Sequence, residues 1–288
     1  MKALLLHALA CIATALPCYA QVVDSKTIDG GSSGPYKAIA ATEATLPQFT
    51  VYRPKDLAAA AQAAGKLPIL VFGNGGCSNT SITHERVLSE IASHGYVIVA
   101  IGPLAKEPPA QPARTESSML IDAMDWITGQ AGDRKSEYFG KVDTTKMGAM
   151  GQSCGGAQVL YAASDPRVKT AVMFNSGIGN MTMAKADKES LIKLHSPIVY
   201  IIGGPSDVAY PNAEMDFDRI GQVPVAVTNL DAGHMGTFGE AFGGSFSRMT
   251  LAWLDWQFKG KGANAAIFLR NELVQFPGWT VKSKNFNR

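Results

Sequence analysis

Lys146-Met147-Gly148-Ala149-Met150-Gly151-Gln152-Ser153-Cys154-Gly155-Gly156 reads as a buried strand that runs straight into a G-x-S-x-G pattern and then into the small-residue start of a helix, with Ala157, Val159 and Leu160 following. This arrangement is the signature of a nucleophile elbow. The spacing has a steric reason. Ser153 must occupy a strained backbone position on a tight strand-to-helix turn, and glycines two residues to either side let strand and helix approach closely. The serine hydroxyl then stands clear of the sheet. A bare G-x-S-x-G recurs by chance, so the partners such a serine needs must be found elsewhere in the chain.

Outward from the elbow, apolar runs alternate with helical periodicity. Residues 67–72 and 96–101 are continuous apolar runs of the kind found in strands covered on both faces, and residues 168–174, 197–202 and 223–230 follow in the same style, the last taken as the final strand. Between them, helices are expected over 83–93, over 119–127 on the face Met119, Leu120, Ala123, Met124 and Ile127, from the elbow to about residue 164, over 188–194 and over 213–220. A strongly amphipathic helix over 246–258 carries Trp253 and Trp256. Residues 36–52 suggest an antiparallel pair at a sheet edge, and the alanine-rich 56–65 a surface excursion. Strands alternating with helices in this way predict an α/β, doubly wound, mostly parallel sheet without a large lid.

The chain has 288 residues, enough for one large α/β domain with a sizeable core. Residues 1–20 read as a secretory signal peptide: Lys2, an apolar run over 3–16, then Pro17-Cys18-Tyr19-Ala20. Residues 21–35, polar and glycine-rich, read as a flexible lead-in, and 36–288 as the single domain. Cleavage after Ala20 leaves 25 basic residues (26 less Lys2) against 24 acidic ones, which gives no electrostatic case for nucleic acid or an anionic membrane. No membrane span, metal or cofactor is expected, and the destination is secreted or periplasmic. Two of the four cysteines, Cys77 and Cys154, lie beyond the signal; an even count in an exported chain favours one disulfide over two buried thiols.

Acyl transfer by a serine needs a base, an acid that holds the base in the right tautomer, and donors for an oxyanion. Of five histidines, His7 falls in the signal, His84 starts a helix as a solvated or capping residue, His94 ends the same helix, where the dipole favours a cation, and His195 precedes a strand. His234 stands apart in the glycine-lined loop Asp231-Ala232-Gly233-His234-Met235-Gly236, after the serine in chain order, where the base belongs. The strand over 197–202 leads into Gly203-Gly204-Pro205-Ser206-Asp207, which makes Asp207 the candidate acid ahead of Asp216, Asp218 and Asp231. The oxyanion donors expected are the N–H groups of Cys154, just after the serine, and of Gly76 in Asn74-Gly75-Gly76-Cys77, with Cys77 as the fallback.

This ordered set resembles the α/β-hydrolase fold. Within it, residues 91–99 (Ile-Ala-Ser-His-Gly-Tyr-Val-Ile-Val), Asp165-Pro166-Arg167-Val168 and the lidless layout are similar to the chlorophyllase, dienelactone-hydrolase and cutinase-like polyester-hydrolase branch. Asn74 stands where many relatives have histidine, and Cys154 where many have methionine. The resemblance implies a serine esterase acting on a small-molecule or polymeric ester, and it places Cys77 and Cys154 side by side at the carboxyl ends of neighbouring strands. A peptidase or amidase of the same fold and a catalytically silent binding module are the alternatives.

Overall fold

The computed structural model describes residues 21–286. The expected signal peptide lies outside the described residues. Among the described residues, ten strands form one sheet: β1 (Val22–Lys26), β2 (Ala38–Glu43), β3 (Phe49–Pro54), β4 (Leu67–Gly73), β5 (Val97–Ile101), β6 (Val142–Gln152), β7 (Val168–Phe174), β8 (Ile198–Ile202), β9 (Val225–Asn229) and β10 (Thr280–Lys284). Their spatial order is β1-β2-β3-β5-β4-β6-β7-β8-β9-β10. The six central strands from β5 to β9 pair in parallel, and antiparallel strands flank them on both sides.

Alternation along the central strands explains why both faces are covered. In β4, Ile69 and Val71 face one core with Leu120, Ala123 and Met124, whereas Leu70 and Phe72 face the other with Val87, Leu88 and Trp253. The helices divide accordingly. The first face packs α1 (Leu57–Ala64), α3 (Met119–Gly132), α4 (Cys154–Ala162) and α5 (Tyr210–Arg219); the second packs α2 (Glu85–Ser93), α6 (Gly244–Lys259) and α7 (Ala265–Arg270). A doubly wound, mostly parallel sheet results, as the sequence pattern predicts. The connection from β7 to β8 carries only a one-bridge turn, Met183 to Ala186, and a short 3-10 stretch, Lys188–Lys193.

Three expectations need correcting. Residues 21–35 are not a loose lead-in: Val22–Lys26 pairs with β2 as the edge strand, and Ser32, Ser33 and Gly34 are tied to Ser89, Glu90 and Ser93 of α2. Polar composition concealed a segment held by these hydrogen bonds and by the burial of a single apolar side chain, Ile28. Nor is β9 the last strand, because β10 pairs antiparallel beyond it through Val281 and its neighbours. The excursion over 56–65 is the helix α1, capped by the Asp56 carboxylate accepting from Ala59 N–H at 2.8 Å.

His84 also departs from its expected role as a surface or capping residue. It is 2 % exposed and its ring lies 5.1 Å from those of both Phe72 and Phe238. Burial drives its pKa down to about 4, so the folded chain holds it neutral. The unfolded chain protonates it near the ordinary value of 6.5, so its contribution to stability is intact above pH 6.5 and lost as pH falls from there to about 4. The expected loss is about 3 kcal/mol across that window. Denaturant titrations at pH 7 and pH 4.5 check it: His84→Phe should lose distinctly less stability between them than the wild type, and equal losses would contradict the assignment.

Candidate active site

The parallel strands end in register. Gly73 pairs with Gly151, Gln152 with Phe174, Phe174 with Ile201, and Ile202 with Asn229. The loops that follow them therefore gather along one edge of the sheet, the carboxyl edge at which open α/β sheets bind ligands.

Ser153 sits between β6 and α4 at φ 53° and ψ −120°, a strained conformation for a residue with a side chain. Its neighbours show why the pattern needs glycine. A Cβ on Gly155 would collide with the carbonyl of Gly73, one on Gly151 with the carbonyl of Gly155, and one on Gly156 with the Ser176 hydroxyl. Ser153 N–H donates to Phe174 O at 3.0 Å, and Ser176 Oγ donates to Ser153 O at 2.8 Å. Both peptide groups flanking the serine are thus held from β7 and its extension.

The three residues singled out by sequence converge. His234 Nε2 lies 3.1 Å from Ser153 Oγ, and His234 Nδ1 lies 2.6 Å from Asp207 Oδ1. The acid is 1 % exposed and the base is partly open. Burial alone would raise the Asp207 pKa, yet His234, the N–H groups of Ala209 and Gly203, and the Asn175 amide hold it below the usual carboxylate value. The acid and base loops touch through glycines: Gly233 N–H and Ala232 N–H both donate to Gly203 O, and a side chain on Gly203 would collide with Gly233 O. The rejected carboxylates have other partners. Asp216 is buried and accepts from Ile178 N–H and Gly179 N–H, and Asp231 accepts from Ser206 Oγ.

Opposite the base lies the loop after β4. Gly76 stands at φ 64°, with open space where a Cβ would be, and Cys77 at φ 50°. The Cys77 N–H is engaged by Asn74 O at 3.1 Å. Asn74, buried, donates its amide to Ile101 O at 2.7 Å and to Ser78 O at 2.9 Å, which anchors the loop to β5. A disulfide joins Cys77 to Cys154, with 5.1 Å between their Cα atoms. Gln152, 2 % exposed, spans the floor: its amide donates to His234 O at 3.2 Å, and its Oε1 faces Gly75.

A cavity of about 300 Å³ opens on the serine and the histidine, with Met181, Met183, Val208 and Ala209 as its apolar wall. A larger hollow of about 570 Å³, bordered by Lys37, Lys55, Glu137 and Lys141, lies at the opposite edge, by the amino ends of β4 and β6, and is lined by no serine, cysteine or histidine. Of the two, the smaller cavity is the one that opens on the Ser153–His234 pair.

Sequence reading did not reach Asn175, Ser176 or Gln152. No motif marks the first two, which simply follow a buried strand. Gln152 occupied the variable position of the G-x-S-x-G pattern, where only its burial reveals a role. A family model described as PETase: PET hydrolase-like matches residues 34–253. No curated relative matches the chain.

The disulfide generates a direct test. It closes a loop spanning 77 positions, for which the chain-entropy model gives roughly 4 kcal/mol. Thiol titration of the denatured, unreduced chain from Gln21 onward should find no free thiol. Reduced protein should unfold at distinctly lower denaturant concentration, and two titratable thiols before reduction would contradict the bridge.

Proposed function

Because the chain belongs to the PET hydrolase-like family, and is a carboxylic ester hydrolase on that ground, we propose that it works through Ser153, His234 and Asp207 by way of an acyl-enzyme. The observation that carries this reading is the histidine placed between a strained, elbow-borne serine and a buried aspartate.

In the first half-reaction His234 Nε2 takes the proton of Ser153 Oγ as the oxygen attacks the ester carbonyl. Asp207 holds the imidazole with Nδ1–H toward itself and stabilises the imidazolium. Negative charge gathers on the former carbonyl oxygen. The N–H of Cys154, at the first position of α4, and that of Gly76 are the donors proposed for it; the Cys77 N–H is less suited because Asn74 O engages it. The imidazolium then gives its proton to the departing alkoxide. Water, activated by the same nitrogen, releases the acid in the second half-reaction and regenerates the serine.

The wall of Met181, Met183, Val208 and Ala209 suits an apolar group of modest size. With Met181 and Val208 exposed, the cleft is open enough to take a soluble ester or the chain end of a polyester of the kind the family's description names. The proposed setting is an exported one, secreted or periplasmic, reached through the signal read in residues 1–20. The disulfide supports that setting, and among the described residues no helix is long and apolar enough to cross a membrane.

Two measurements test the proposal. Ser153→Ala and His234→Ala should each lower kcat by about 10⁴ or more with the fold intact by circular dichroism, and the double variant should be little worse, because members of a triad act as a unit. A single variant that keeps a tenth of wild-type turnover would remove that residue from the mechanism. A panel of p-nitrophenyl esters of rising chain length, an aryl ester, a polyester film and an amide should show hydrolysis of short soluble esters with no rate jump at an interface. A rate that is negligible until the substrate exceeds its solubility limit would refute the open cleft.

A further inference from the structure

Asn175 is the first residue after β7, and nothing in the triad reading requires it. It is fully buried, and its backbone stands at φ 43°, a left-handed conformation that asparagine tolerates better than most residues bearing a side chain. Its N–H donates to Ile201 O at 2.9 Å, which pins this turn to β8. The side-chain nitrogen then reaches two acceptors at once. Nδ2 lies 2.8 Å from Asp207 Oδ2 and 3.1 Å from Gly233 O, the carbonyl immediately before His234.

Both neighbours only accept hydrogen bonds, so chemistry fixes the orientation of the carboxamide with its NH₂ toward them. The consequence is that Oδ1 is buried with no hydrogen-bond partner among the described residues. An unsatisfied buried acceptor costs about 1–3 kcal/mol. Alanine at this position would avoid that penalty but would sit less easily in the left-handed backbone, and aspartate would set one carboxylate against another. Serine offers a single donor. Asparagine alone among short side chains supplies two N–H bonds from one atom, and here each goes to a different member of the acid–base pair.

We propose that Asn175 is a positioning residue for the Asp207–His234 couple, its one NH₂ group joining the outer oxygen of the acid to the backbone that carries the base. The inference rests on the triad reading above. Asp207 Oδ1 accepts from His234 Nδ1 and from Ala209 N–H, and Oδ2 accepts from Asn175 Nδ2 and from Gly203 N–H. Without Asn175, Oδ2 keeps one donor of the two, the carboxylate is held by three bonds in place of four, and the Gly233 carbonyl loses its tie to the acid side of the pair. The imidazole then meets Ser153 in a broader range of orientations. Asn175 also borders the cavity, but its side chain is fully buried and its NH₂ is turned to Asp207 and Gly233, so the methionine-lined wall is left to bind the ester.

The test compares Asn175→Ala, Asn175→Asp and Ser153→Ala, with thermal unfolding of each. Asn175→Ala should lower kcat by about 10²-fold, the scale of a small misplacement of a reacting group, while KM stays within about two-fold. Asn175→Asp keeps the shape but loses the donors and repels Asp207, so its kcat should fall further than that of the alanine variant; a packing role predicts the reverse order. The low-field proton resonance of His234 Nδ1 should shift or broaden in Asn175→Ala, a readout independent of turnover. Asn175→Ser, which keeps one donor, takes the place of the alanine variant if that protein fails to fold, and should fall between it and the wild type. Turnover within two-fold of wild type with the resonance unmoved overturns the inference, as does a change confined to KM, which would make Asn175 a substrate contact. An inactive Ser153→Ala beside a fully active Asn175→Ala strikes this inference alone, whereas an active Ser153→Ala strikes the triad reading itself.

Discussion

The backbone of α4 lies against the end of β4 with no side chain between them, and the rest of the site depends on that contact. Gly155 abuts the Gly73 carbonyl, Gly151 abuts Gly155, and Gly156 abuts Ser176. Three glycines in one turn bring a helix start within backbone distance of two neighbouring strand ends. The close approach forces Ser153 to φ 53°, and it aims the first N–H groups of α4 at the space above the sheet. It also brings Cys154 close enough to Cys77 for a covalent bond. The serine's conformation, the position of one proposed oxyanion donor and the bridge to the loop of the other thus follow from a single steric condition.

The acid and the base depend on a second close approach, between Gly203 and Gly233, which locks the loops after β8 and β9 together. Their electrostatics follow from depth. Asp207 is removed from water and would resist ionisation, but four hydrogen bonds to its two oxygens outweigh the desolvation. A carboxylate kept ionised in a poorly solvated place attracts an imidazolium more strongly than one in water does. His234 sits nearer the surface, with Nδ1 committed inward and Nε2 facing the serine and the cavity.

Much of this was legible in the sequence because it is written in spacing. Buried parallel strands declare themselves as unbroken apolar runs, and β4 through β9 were all visible. The G-x-S-x-G pattern pointed to Ser153 and loop position after successive strands to Asp207 and His234, three side chains that the fold brings within hydrogen-bond reach. What escaped notice was held by hydrogen bonds. The edge strand β1 pairs through its backbone and exposes most of its side chains, so no alternation marks it. The edge strand β10 has polar residues around Val281 and reads as a tail. His84 was misplaced because a histidine at a helix start looks like a cap, and only the approach of Phe72 from β4 and Phe238 from the base loop encloses it. Gln152 and Asn175 belong to the same class: each is a polar side chain whose partners lie on loops distant in sequence.

The two halves of the site are fastened by different means, and the chemistry gives a reason. Oxyanion donors act on charge that exists only in the transition state, so they are worth most when fixed beforehand and need no reorganisation. The loop that carries the donor proposed at Gly76 lies outside the sheet, and two successive residues, Gly76 and Cys77, have left-handed backbone. A covalent link to α4, an asparagine anchor on β5 and the Ser78 hydroxyl on Gly75 O restrain it from three directions. The base has a different task. In the mechanism proposed above, its Nε2 takes a proton from the serine and hands it to the leaving oxygen, then takes one from water, so that face of the ring has to stay free of protein partners other than Ser153. Restraint can reach it only from Nδ1 and from the backbone on either side. The contacts observed are of that kind: Asp207 on Nδ1, Asn175 on the preceding carbonyl and Gln152 on its own. Rigid donors on one side and a base held by its far edge on the other leave the reacting atoms as the least constrained part of a tightly constrained site.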